Sequence, residues 1–156
     1  MSTKAKRLSP WLIALLVVLG GCVAVFALIL LLQLMPYGKN HTNPPVVSEP
    51  NWDSPRTREL AQRACFDCHS NETAWPWYSN VAPLSWLVQR DVDEGRQRLN
   101  FSDWGRVNSR RLRELNEVIL EGSMPPLQYT LPRPNAALSA TEKQELADGL
   151  AATVGR

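Results

Sequence analysis

From Trp11 to Met35 the chain runs for 25 residues with no charged side chain and with Gln33 as the one clearly polar group. A lipid interior leaves no backbone polar group unpaired, so a run of this kind is confined to a helix that satisfies its own hydrogen bonds. At 1.5 Å per residue it extends about 37 Å, enough to cross a hydrocarbon layer of about 30 Å with some tilt. A single-pass transmembrane helix over residues 11–35 is expected, with the lipid bilayer as its partner. The polar tail 1–10 carries Lys4, Lys6 and Arg7, and this basic cluster predicts a cytoplasmic N-terminus with everything after Met35 on the far side. Trp11 and Tyr37 stand at the two ends, where amphipathic rings suit the interface.

Two processed alternatives fit less well. A cleaved signal peptide has an apolar core of about 7–15 residues and a small-residue cleavage site, whereas this run is longer and ends in Leu-Gln-Leu-Met-Pro. Leu19-Gly20-Gly21-Cys22 has the form of a lipoprotein box with Cys22 as the acylated residue, but ten more apolar residues follow it where a lipoprotein turns polar. An uncleaved anchor is the expectation. Residues 36–50 follow, with Pro36, Pro44, Pro45, Pro50, Gly38, Asn40 and Asn43 and no apolar periodicity. Such a segment reads as a linker that could reach roughly 45 Å at about 3.1 Å per residue.

The remainder, residues 51–156, is one domain's length and must be read apart from the span, because the mean hydropathy of −0.23 averages two unlike parts. It holds 13 Lys and Arg against 14 Asp and Glu. Near-neutrality excludes the concentrated positive charge of a nucleic-acid binder. The local stretch Arg106, Arg110, Arg111, Arg113 reads as a solvated helix face, or as a docking patch for an acidic partner.

Within this domain stands Cys65-Phe66-Asp67-Cys68-His69. Two cysteines so spaced, with histidine directly after the second, are the attachment signature of a c-type haem. Each thiol adds to one porphyrin vinyl group as a thioether, and the adjoining imidazole then reaches the iron. Cys65 and Cys68 are the expected attachment sites of one covalent haem c per chain, and His69 is the expected proximal ligand. A structural zinc site needs four Cys or His ligands, and the chain offers only Cys22, in the apolar run, and His41, in the linker, besides these. A thioredoxin-like pair needs an α/β setting, and no alternating β-branched run follows residue 50.

The pattern after the linker is helical. Asp53-Ser54-Pro55 opens a helix leading through Leu60, Ala61 and Ala64 into Cys65. Pro83-Leu84-Ser85 opens a second, with Leu84, Leu87, Val88 and Val92 as its apolar stripe. A third runs from about Asn108 to Glu121 with Leu112, Leu115, Val118 and Ile119 on one side and Gly122 as its stop. Ser139-Ala-Thr-Glu142 fits a capping box for a last helix that buries Leu146, Ala147 and Leu150. The expected class is all-α, a cytochrome c-like helical haem domain behind an N-terminal transmembrane helix. Few large aliphatics give it a thin core, which a macrocycle would complete. Trp52, Trp75, Trp77, Trp86 and Trp104 are expected to pack around that macrocycle, with Trp75 and Trp77 in its environment.

The second axial position decides between electron transfer and ligand chemistry. After the linker the domain has one methionine, Met124, and no histidine besides His69. Met124-Pro125-Pro126 is barred from a helix by its prolines, and a rigid loop is well suited to present a thioether to iron. Met124 is the expected distal ligand, Tyr129 and arginines are candidate propionate contacts, and His41 is taken as a surface residue.

These motifs together resemble a known family. Cys65 to Thr73, Trp75-Pro76-Trp77-Tyr78-Ser79, Val81-Ala82-Pro83 through Trp86-Leu87, Glu94-Gly95-Arg96, Leu99-Asn100-Phe101-Ser102 and Met124-Pro125-Pro126 are similar to the small bacterial haem-binding domain family over about residues 52–152. The resemblance implies a membrane-anchored monohaem c-type protein of the bacterial inner membrane, its haem domain periplasmic, with Cys65 and Cys68 as thioether sites, His69 proximal and Met124 distal. The expected function is one-electron transfer with membrane or periplasmic redox proteins, without catalysis. A haem-based small-ligand sensor with a displaceable distal ligand is the alternative. A peroxidase stands third, since it needs a distal acid or base and the domain has no spare histidine.

Overall fold

The computed structural model describes residues 9–106 and 109–154. The side chains of Arg106, Ser109, Arg111 and Leu112 also lie outside the described set, as do the basic cluster Lys4, Lys6, Arg7 and Asn108. Helix α1 covers Pro10–Leu32, capped by Ser9, whose Oγ accepts from the Leu12 N–H at 3.3 Å. It is long and apolar enough to cross a membrane, and none of its side chains is buried in the protein. The helix stops three residues short of the expected Met35. Leu34 and Met35 donate to carbonyls three residues back, a tightening of the last turn, and Pro36 then forbids continuation.

The domain beyond it is helical, and the described residues contain no strand, only an isolated bridge between Ser48 and Asp103. Helix α2 (Pro55–Ala64) starts at Ser54, whose Oγ accepts from Thr57 N, and buries Leu60, Ala61 and Ala64 on its way to Cys65. Cys65 leaves helical geometry, and a single turn, α3 (Phe66–His69), carries the rest of the motif. Helix α4 (Leu84–Arg98) crosses α3, and α5 (Ser109–Glu121) ends where the Gly122 N–H bonds the Ile119 carbonyl. A short α6 (Leu127–Thr130) follows, and α7 (Ala140–Val154) packs on α5 and α2. The expected capping box is formed: Ser139 N donates to Glu142 Oε2 at 2.9 Å, and Glu142 N to Ser139 Oγ at 3.2 Å.

The core unites Leu60, Phe66, Leu99, Phe101, Ile119, Leu146 and Leu150. Its aromatic centre is Phe101, stacked on Trp104 at 5.6 Å and on Phe66 at 5.3 Å, with Trp52 at 5.4 Å. Arg110 of the basic stretch pairs with Glu114 on the exposed face of α5, one turn on.

Residues 36–50 depart from the expected free tether. Gln33, at the end of α1, donates its amide N–H to the Ala82 carbonyl and accepts from the Ala82 N–H, both at 2.9 Å. Gly38, at φ +80, brings the turn so close to α4 that a β-carbon would stand 2.4 Å from the Ser85 carbonyl oxygen. Further along, Arg96 donates to the Thr42 carbonyl at 2.9 Å and to Asn43 Oδ1 at 3.0 Å, Asn71 to the Pro45 carbonyl at 2.8 Å, and Val47 N to the Ser102 carbonyl at 2.8 Å. The segment is a strap held by polar contacts. Prolines remove donors that would otherwise need partners, and the Thr42 and Pro45 carbonyls and the Val47 and Ser48 N–H groups find theirs on the domain.

Glu142 links the α7 cap to α2. The Ser139 backbone N–H, and then the Arg63 guanidinium, hold its carboxyl at about 2, well below the ordinary 4.5. A carboxyl depressed in the folded state adds stability above its ordinary value and loses it as pH falls through the folded one. The excess stability of wild type over Glu142→Gln should therefore be constant at neutral pH, shrink below about 4.5 and vanish near 2. Urea midpoints across that range would read it; a pH-independent difference would remove Glu142 as the source.

Candidate functional site

The motif at residues 65–69 divides between two sides. Phe66 is buried in the aromatic core, whereas Cys65, Cys68 and His69 line a cavity of about 420 Å³. This places the motif as a partition between core and cavity. Leu84, Leu87, Val88 and Val92 of α4 form the facing wall, with Leu115 and Ile119 of α5. The expected stripe on α4 is real, but much of it serves the cavity: Leu84 and Leu87 are 46% and 49% exposed to it and to solvent.

His69 is held by backbone groups. Its Nδ1 lies 3.0 Å from the Gly95 carbonyl oxygen and 3.2 Å from that of Leu99. Carbonyls only accept, so Nδ1 carries the proton, and Nε2 is left with a lone pair for a metal. Burial lowers the imidazole's proton affinity, outweighing those same carbonyl contacts, and so favours the neutral form that ligates. The His69 carbonyl accepts from Phe101 N at 2.7 Å. Gly95 makes this approach possible: a β-carbon there would stand 2.2 Å from the Cys68 carbonyl oxygen.

Burial pushes the Cys65 thiol up to about 12 and the Cys68 thiol up to about 11. Neither is the low-pKa thiolate on which disulfide exchange depends, and the two are not joined to each other. Met124 reaches the same cavity from the loop after α5, where its N–H bonds the Val118 carbonyl at 3.1 Å. Tyr129 also lines it. Its hydroxyl donates to Asp67 Oδ2 at 2.7 Å, and Arg133 pairs with the same carboxylate. Burial first, then the nearby cysteines, raise the Tyr129 phenol, which stays protonated as a donor.

Trp75 and Trp77 stand outside the lining. Trp75 stacks on His41 at 4.7 Å, and Trp77 is 79% exposed with its edge against Tyr78. None of the five domain tryptophans lines the cavity, and Trp52 and Trp104 pack instead on the core side of Phe66. His41 bonds the Ser79 carbonyl at 3.0 Å and does not reach the site. Sequence reasoning missed Phe66 as the core anchor, Tyr78 as a wall residue, Gly95 as the crossing point and Asp67 as the hub of Tyr129 and Arg133.

A cavity within the usual range for cofactor sites, with largely apolar walls and an oriented imidazole beside two thiols and a thioether, suits a macrocycle bearing a metal. A family model described as a haem-binding domain matches residues 27–152. The chain belongs to the haem-binding domain family. No curated protein and no solved structure matches it. The match of this haem-binding domain begins inside α1, so the strap and the end of the apolar helix lie within it. Arg90, Arg98 and Arg133 also stand among the cavity residues.

Gly95→Ala should force α4 away from Cys68, costing about 1–3 kcal/mol as overpacking does. A urea midpoint measured on the haem-loaded chain, read with its visible spectrum, should fall with a disturbed iron band. An unchanged midpoint would contradict the close crossing.

Proposed function

We propose that the chain is a membrane-anchored monohaem c-type cytochrome that transfers single electrons on the periplasmic side of a bacterial inner membrane. The observation that carries this reading is the gathering of Cys65, Cys68, His69 and Met124 on one cavity. In this reading the Cys65 and Cys68 sulfurs would hold one haem c through thioethers, and His69 Nε2 and Met124 Sδ would be the residues that ligate its iron. Haem supplies a one-electron ferric/ferrous couple, and His/Met ligation raises its potential.

The chain's own residues bind and orient. The Gly95 and Leu99 carbonyls fix the imidazole plane through Nδ1–H. Leu84, Leu87, Val92, Leu115 and Ile119 give the macrocycle an apolar wall, against which electrostatic contacts are less screened than in water. Electron transfer needs no bound substrate and no proton donor at the iron, so the role is that of a carrier and not an enzyme. Its partners are membrane or periplasmic redox proteins, which a membrane tether keeps at high effective concentration. The basic N-terminal cluster supports a cytoplasmic N-terminus.

In the full chain, Met124→Ala should retain covalent haem while the iron becomes high-spin and binds carbon monoxide. A low-spin spectrum unchanged by the substitution would exclude Met124. If wild type itself binds carbon monoxide readily, the small-ligand sensor replaces the carrier. Replacing both Cys65 and Cys68 by Ser should let acid-acetone extract the haem, and pigment that stays with the protein would sink the c-type assignment.

A further inference from the structure

The end of α1 and the turn before α4 are a single unit. Gln33 holds Ala82 through both amide atoms, Lys39 Nζ donates to the Gln33 carbonyl, and Gly38 rests on Ser85. On the other side of the same turn His41 holds the Ser79 carbonyl. Residues 77–82 are thereby fixed beside the point where the apolar helix ends.

That neighbourhood is apolar and open. Leu34, Met35 and Tyr37 are 77%, 50% and 48% exposed on the α1 side, and Trp77 and Val81 are 79% and 40% exposed on the domain side. Leu84 and Leu87 belong to the cavity and not to this patch. No Asp or Glu occurs from Gln33 to Ser48 or from Thr73 to Arg90, and Lys39 and Arg90 are the permanently charged groups there. Trp and Tyr favour the membrane interface, where one side of the ring is apolar and the other wet, and a surface without carboxylates is not repelled by anionic headgroups.

We infer that Trp77 and Val81 form a lipid-docking face, seated in the headgroup layer of the bilayer that α1 crosses. The inference rests on the reading of α1 as a membrane anchor. Tyr78, next to Trp77, lines the haem cavity, so docking sets the height and tilt of that cavity above the membrane. A freely swinging domain would present the cavity in all orientations; this one presents it in one.

The test uses the full haem-loaded chain in bilayers of phosphatidylethanolamine and phosphatidylglycerol doped with a phospholipid carrying a diazirine high on its acyl chain. After illumination and digestion, mass spectrometry should find label in α1 and also at Trp77 and Val81. In Trp77→Ser/Val81→Ser, label across residues 75–83 should drop several-fold while that in α1 is unchanged. Label confined to α1 in wild type would overturn the docking face and leave the anchor standing. Absence of label from α1, with the protein released by alkaline carbonate, would remove the anchor and the docking face together.

Discussion

The close crossing of α3 and α4 is the contact on which the site depends. A metal-ligating histidine is only as well aimed as the group that holds its other nitrogen. Here that group is a pair of carbonyls at the end of α4, reached because Gly95 has no β-carbon to strike Cys68. Backbone carbonyls cannot change rotamer, so the imidazole plane is set by the helix position. Glycine inside a helix costs about 1 kcal/mol relative to alanine, and the crossing is what that cost secures. From the other side, Phe101 N bonds the His69 carbonyl and Phe66 is stacked into the core. The motif is thus gripped by helix, loop and core together.

Much of this was legible in the residues. The helices, the Ser54 and Ser139 caps and the Gly122 stop follow from local chemistry, and local chemistry is what a sequence displays. The apolar stripe of α4 was also visible, but periodicity reports that a face is apolar and not what covers it. Hence the stripe alone did not say that Leu84 and Leu87 line a cavity. The tryptophans misled for a related reason. Composition places aromatics near a macrocycle, whereas the position of Phe66 on α3 directs Trp52 and Trp104 to the opposite side of the motif. No local signal marks Gly95, whose role exists only once another backbone lies across it.

The strap escaped notice for a different physical reason. Its attachment to the domain rests on hydrogen bonds between segments far apart in sequence, and those have no period. Arg96 illustrates the point, joining Thr42, Asn43, Ser70 and Thr73 through one guanidinium. Burial lowers its proton affinity, yet arginine's starting value is so high that the charge stays and the donors remain in place. The residues after His69 therefore act with the strap: Asn71 accepts from Asn100 at 2.9 Å while donating to Pro45. A segment that composition describes as flexible becomes the fixed connection between the apolar helix and the haem-binding domain.

Asp67 completes the arrangement from within the motif itself. Its carboxylate accepts from Ala74 N at 2.8 Å and from the Tyr129 hydroxyl, and pairs with Arg133. Tyr129 lies three residues beyond Pro126, so the carboxylate next to Cys68 is tied to the segment that follows Met124. A largely buried ion pair adds little net stability, because desolvation consumes much of the attraction. Its value is geometric: losing one partner would leave a phenol or a guanidinium unpaired in a poorly hydrated place, which costs more than the pair contributes. The apolar walls of the cavity allow α6 to slide, since dispersion has no direction. A carboxylate with three fixed donors does not. The placement of Met124 relative to His69 is in this way referred to Asp67, inside the same five-residue motif that holds Cys65, Cys68 and His69.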